Sequence, residues 1–165
     1  MKYLAIALAT ALLLIGCSGK QRTIRKSLAK SYLITIKTKR FAFSDTGFLI
    51  YDPDRILLQI FTAGKPVLEM KVSTDEDNIC VQKLCKYKHG FNRYYLSPDY
   101  PDTLIEHVLQ RQPIMHAVGL KRLEDGFVQH IETPAYAIDY SVRGGDVRFK
   151  DRINHILLKL KELHQ

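Results

Sequence analysis

Tryptophan is absent from these 165 residues. Also missing are a Gly-x-Ser-x-Gly elbow, a His-Glu-x-x-His pair and a glycine-rich phosphate loop. Those absences count against a serine hydrolase, a zinc hydrolase and a phosphate-loop nucleotide enzyme. Cysteine is scarce, at positions 17, 80 and 85 only. Beyond the start of the chain there is no repeat, no low-complexity tract and no second linker. Asp45, Asp52 and Asp54 are expected in turns, bonding their own backbone. His107, His116 and His130 are scattered over helix and strands. No catalytic residue, cofactor or metal is expected, and the protein is not expected to be an enzyme.

What is present begins at the N-terminus. Met1-Lys2-Tyr3 carries one positive charge and is followed by about a dozen apolar or small residues. The run ends in Leu14-Ile15-Gly16-Cys17. It is too short to span a bilayer comfortably. Those four residues resemble a bacterial lipobox. The resemblance implies cleavage before Cys17, diacylglycerol on its sulfur and an acyl chain on its new amino group. Several acyl chains anchor stably, since each buried methylene contributes about 0.8 kcal/mol. Ser18, where an aspartate would signal retention, implies the outer membrane and its periplasmic face.

Residues 1–16 then read as a lipoprotein signal peptide and 17–31 as a lipidated, polar and basic tether, with a short helical turn over Ile24 to Ala29. Residues 32–165 read as one β domain. Without the signal peptide the chain has 149 residues, 24 of them basic and 17 acidic, a net charge of +7. That balance suits anionic lipid head groups or an acidic partner protein. Nucleic acid is not expected, because the basic residues are scattered. A monomer is expected. Cys80 and Cys85 flank a four-residue segment that can join two paired strands, which would bring the sulfurs together in a disulfide-permitting compartment. Metal binding at Cys-x4-Cys, with only His89 nearby, is a weak reading.

From Tyr32 onward the hydrophobic period is two. Tyr32, Ile34 and Ile36 share a face, as do Ile56, Leu58 and Ile60. Leu68, Met70 and Val72 follow a turn at Ala63-Gly64-Lys65-Pro66. Further strands are expected at Ile79–Val81, around Leu120, from Phe127 to Ile131, from Tyr136 to Val142, and at Val147–Phe149. Glu124-Asp125-Gly126 and Gly144-Gly145 supply turns. A helix of roughly ten residues is expected from Asp102, its cap, to Pro113, with Leu104, Ile105, Val108 and Leu109 on one face. Residues 153–163 fit a strand and a helix equally well by periodicity.

Ten or eleven strands with one or two helices describe a single curved antiparallel sheet, an incomplete barrel around an apolar interior roofed by a helical lid. Such an interior either fills with side chains or holds a ligand.

The order of elements resembles the LolB family, outer-membrane receptors of the lipoprotein-sorting system, which share a fold with the periplasmic carrier LolA. The likeness lies in the strands Ile56–Phe61 and Val67–Val72 around Ala63-Gly64. It continues through Lys121–Ile131, Tyr136–Tyr140, Val147–Asp151 and the closing Ile156-Leu-Leu-Lys-Leu160, and on this basis residues 155–160 read as a strand. The resemblance implies that acyl chains of client lipoproteins enter a cavity beneath the lid, arriving from a LolA-like carrier and leaving for the outer membrane. Candidate lining residues are Ile34, Ile36, Ile56, Leu58, Ile60, Leu68, Met70, Val72, Tyr136, Ile138 and Tyr140. It also implies a membrane-facing loop, here Phe61, Ala63 and Gly64, with Ala63 where the family's pattern has leucine. The other reading is a non-enzymatic envelope-assembly or interaction lipoprotein with a filled core.

Overall fold

Alternation along the first strand sets the geometry of the rest. In β1 (Leu28–Lys37), Tyr32, Ile34 and Ile36 are buried while Leu33 and Lys37 are exposed. Successive strand residues point to opposite faces, so one face of β1 is apolar and inward. The same inside–outside rhythm marks β2 (Ala42–Tyr51), β3 (Arg55–Thr62) and β4 (Lys65–Ser73). Short strands β5 (Asn78–Val81) and β6 (Leu84–Tyr87) complete the first meander. The second comprises β7 (Leu120–Leu123), β8 (Gly126–Glu132), β9 (Ala137–Arg143), β10 (Asp146–Asp151) and β11 (Ile156–Glu162). The computed structural model describes residues 28–163, so the expected signal peptide, the expected lipidation at Cys17 and most of the expected tether lie outside the described residues.

The eleven strands form one antiparallel sheet in the order β6-β5-β4-β3-β2-β1-β11-β10-β9-β8-β7. It is an open order with β6 and β7 at its edges, so the barrel is incomplete. The two meanders meet at β1 and β11, in a register that pairs Ile34 with Leu160 and Ile36 with Leu158. Within 153–163 the ambiguity resolves to strand from Ile156 to Glu162, one residue later than expected, with 153–155 in the preceding turn: Ile156, Leu158 and Leu160 are buried and Lys159 and Lys161 are not.

Two local irregularities mark the first meander. The β3–β4 register shifts between Ile60 and Phe61, and such irregularities sharpen local twist. Gly47 sits in β2 where a β-carbon would lie 2.1 Å from the Gln59 carbonyl oxygen and 2.6 Å from the Ile34 Cδ1. Only glycine allows that approach of backbone and side chain.

Two short helices lie between the meanders: α1 (Lys88–Tyr95) and α2 (Leu104–Leu109), followed by a 3₁₀ turn at Met115–Ala117. Their buried residues Phe91, Tyr95, Leu104, Ile105, Val108 and Leu109 join those of the inner sheet face in one core cluster. Among the described residues no helix is long and apolar enough to cross a membrane.

Several expectations need correction. β1 starts at Leu28, so residues 28–31 belong to the sheet, and Leu28 and Ala29 are strand and not helical turn. Helix α1 was not expected. In α2 the N-cap position falls to Thr103 with no side-chain cap bond; Asp102 instead lies 3.9 Å from His89. Asp45 sits within β2, not in a turn. It accepts from the Thr46 amide at 2.7 Å and the Thr62 hydroxyl at 2.9 Å, which hold its carboxyl below the usual range.

Candidate functional site: an apolar trough under a latched lid

The inner face of the sheet is a trough of aliphatic and aromatic side chains. Of the eleven residues expected to line a cavity, ten are buried. These are Ile34 and Ile36 of β1; Ile56, Leu58 and Ile60 of β3; Leu68, Met70 and Val72 of β4; and Ile138 and Tyr140 of β9. Tyr136, just before β9, is half-buried against the same cluster. The structure brings all eleven together, as core and not as the wall of an open cavity, because α1, α2 and their linkers pack directly on them. Phe127, Val147, Phe149, Ile156, Leu158 and Leu160 extend the trough across β8, β10 and β11. Their period-two spacing was the available signal.

Six-residue α2 is too short to hold itself together. Polar side chains rising from the sheet fasten the segment to which it belongs. Tyr51, at the end of β2, donates its hydroxyl to the Leu109 carbonyl at 2.7 Å, satisfying an acceptor that the helix end leaves free. Tyr140 donates to the Gln112 carbonyl at 3.1 Å. Gln129, buried on β8, makes three bonds: its Oε1 accepts from the Ile114 amide at 2.9 Å, and its Nε2 donates to the Ile114 and Val118 carbonyls at 3.1 and 2.9 Å. Arg111 ends the helix in a left-handed conformation (φ 58°). Its guanidinium donates to the Gly145 carbonyl at 3.1 Å, to the Tyr32 hydroxyl, and lies 3.6 Å from Glu162.

The linker between the helices is latched as well. Tyr100 donates its hydroxyl to the Asp151 carboxylate. Asp151 also accepts from the amides of Ala137, Ile153 and Asn154 and from the Asn154 side chain. Asn92 of α1 donates to the carbonyls of Tyr100 and Pro101 at 3.3 and 3.0 Å. Lys88 and Glu106 tie the two helices at 3.0 Å.

Burial governs the ionisation of these groups. It pushes Tyr51 up to about 12, with the nearby Glu162 charge adding to the rise. Burial also raises Tyr100 and Tyr140 above the usual phenol range. All three therefore remain neutral donors through the physiological range. Asp151 is desolvated, which alone would raise it; the bonds from Tyr100, Asn154 and Ala137 outweigh that and keep it below the usual carboxylate range.

The expected membrane-facing loop is the two-residue turn of the β3–β4 hairpin. Ala63 and Gly64 both have positive φ, 49° and 75°, the geometry of a twist-matched hairpin turn. Both are exposed. Phe61 lies beside them, edge-on to Phe48 of β2 with ring centroids 5.7 Å apart. No sequence motif singles out Phe48. Its partnership with Phe61 depends on cross-strand register, which periodicity does not contain. Cys80 and Cys85 face each other across β5 and β6 and are joined as a disulfide. Among the described residues, no group of three or more His, Cys, Asp or Glu is placed to hold a metal ion.

Compared with known proteins, the chain matches no protein-family model, and no curated protein matches it.

Proposed function

We propose that this is a lipid-anchored outer-membrane lipoprotein that takes up acyl chains of client lipoproteins and helps transfer or insert them, as the LolB resemblance implies. The supporting observation is the way the trough is roofed. The lid touches the sheet through apolar side chains, through hydrogen bonds from sheet side chains to lid backbone, and through the side chains of Tyr100 and Arg111, which donate to Asp151 and to the Gly145 carbonyl. No lid residue is a member of the sheet ladder, so the lid can lift with every strand pair intact.

The energetics suit exchange. Exposing Phe91, Leu104, Ile105, Val108 and Leu109 would cost roughly 8–15 kcal/mol at about 1.5–3 kcal/mol per side chain. A saturated chain of about sixteen carbons recovers about 12 kcal/mol at about 0.8 kcal/mol per methylene. Replacing lid side chains by hydrocarbon is thus close to balanced, which a carrier that must also release its cargo needs. No cofactor enters this scheme beyond the lipid expected on Cys17. A carrier related to LolA and its client lipoproteins are the proposed partners.

The test is equilibrium binding of a fluorescent fatty-acid analogue to unlipidated protein. Saturable binding that tightens in Tyr51→Phe and Gln129→Leu variants supports the reading. No binding in either the parent or these variants overturns it. A depletion strain that follows where other lipoproteins accumulate tests the transfer step.

The filled inner face favours the second reading, an envelope-assembly or interaction lipoprotein that needs no cavity. Recovery of one stable envelope complex, with no carrier or client in it, would select that reading.

A further inference from the structure

We propose that the outer face of the sheet, around β1, β10 and β11, docks flat on an anionic bilayer. The alternation that buries Ile34, Phe149 and Leu158 sends Lys37, Arg148, Lys150, Lys159 and Lys161 to the opposite face. Arg148 and Lys159 are direct cross-strand neighbours in the β10–β11 register. Like charges placed opposite one another destabilise a sheet. Among the described residues none of these five cations has a carboxylate within ion-pair distance. Arg55, Arg143 and Arg152 are each paired with acids. The acid on this stretch of β10, Asp146, is turned to the Glu162 amide at 2.9 Å. A cleft of about 360 Å³ lies among Leu33, Thr35, Asp146, Arg148, Lys159 and Lys161, where these three cations outnumber the one carboxylate and leave room for phosphate oxygens.

The same face is greasy next door. Leu33 lies opposite Lys161 in the β1–β11 register, and Ser31 lies opposite Phe48 in β1–β2. A groove of about 660 Å³ runs past Phe48, Phe61, Ala63 and Leu163. Leu33, Phe48 and Leu163 are 42%, 43% and 40% exposed. Unpaired cations bordering exposed aromatic and aliphatic side chains form the pattern of a surface lying in the headgroup layer, with apolar groups at the acyl boundary and ammonium or guanidinium groups on phosphates. An acidic protein partner would account for the cations but not for the adjoining apolar strip. This inference is independent of whether the trough takes up hydrocarbon.

The test uses the chain from residue 17 onward with Cys17→Ser. It keeps the whole described sheet and core, which lie within residues 28–163. Vesicles of phosphatidylethanolamine doped with phosphatidylglycerol are compared, by co-sedimentation, with uncharged phosphatidylcholine. Binding is expected on the anionic vesicles at low salt, and its loss in about 0.5 M salt, where screening is short-ranged. The pair Arg148→Glu and Lys159→Glu should weaken it at least about tenfold. Lys161→Glu alone serves as a milder variant. Phe48→Ser should weaken it further, and Lys83→Glu, on the distant β5–β6 turn, should leave it unchanged. Three results would overturn the proposal: no binding to anionic vesicles, equal weakening by Lys83→Glu, or binding to polyglutamate without binding to vesicles.

Discussion

The Tyr51 hydroxyl, on the inner face of β2, bonds the Leu109 carbonyl at the end of α2. A sheet side chain thus finishes a helix that lies 58 residues further along the chain. Removing that hydroxyl should loosen the lid without disturbing the strands. Tyr51→Phe leaves a carbonyl unsatisfied and should cost about 1–2 kcal/mol, with faster amide exchange over 104–112 than in the sheet. Uniform acceleration across all strands would contradict the latch. The phenol's raised folded value, about 12 against 10.0, fixes the sign of the alkaline response. The stabilisation from the neutral donor is complete below pH 10 and is lost between pH 10 and 12.

Asp151 gathers five donors from Tyr100, Ala137, Ile153 and Asn154. Asn in its place would turn an amide toward some of those donors. Asp151→Asn should cost about 3 kcal/mol and free the linker between the helices. Because its folded value lies below the ordinary 3.8, its contribution is present above that value and disappears as pH falls further. Urea midpoints measured from pH 6 down to pH 2 should show the loss in the parent and a flatter profile in the variant.

Gly47 has no space for a methyl group. Gly47→Ala should cost about 2–3 kcal/mol, since the closest clash, ahead of that with the Ile34 side-chain tip, is with the Gln59 backbone, which cannot swing aside. A melting temperature unchanged by this substitution would mean that β2 and β3 do not approach as described.

The disulfide closes a loop with a separation of only 5 residues. Small loops gain little, so replacing Cys80 and Cys85 by serine should cost about 2 kcal/mol or less. Reduction should open β5 and β6 locally and leave the trough closed. Loss of the entire near-ultraviolet tyrosine signal on reduction would refute this.

Much of the sheet was legible because its signals are local. Alternation marks Ile56–Ile60 and Leu68–Val72, and Gly144-Gly145 marks the turn between β9 and β10. Helix α1 was not legible. Lys88–Tyr95 contains Gly90 and Asn92, has no side-chain cap, and shows only Phe91 and Tyr95 as apolar buried positions one turn apart. The latches were hidden for a different reason. Tyr51, Tyr140 and Gln129 bond backbone atoms of a distant segment, and carbonyls carry no sequence identity. Asp102 shows that a good capping residue is overridden when the chain enters the helix one residue later.

The seam between β1 and β11 joins segments as far apart as Lys30 and Glu162, 132 positions from each other. Until both are present, two separate meanders have no shared centre, and the trough lacks the strands along its midline. A chain threaded outward from its amino end would therefore stay unassembled through most of its passage. Were the chain exported as proposed, assembly that waits for the far strand would keep the polypeptide loose during its passage, and slow nucleation of so non-local a pairing is the kinetic cost.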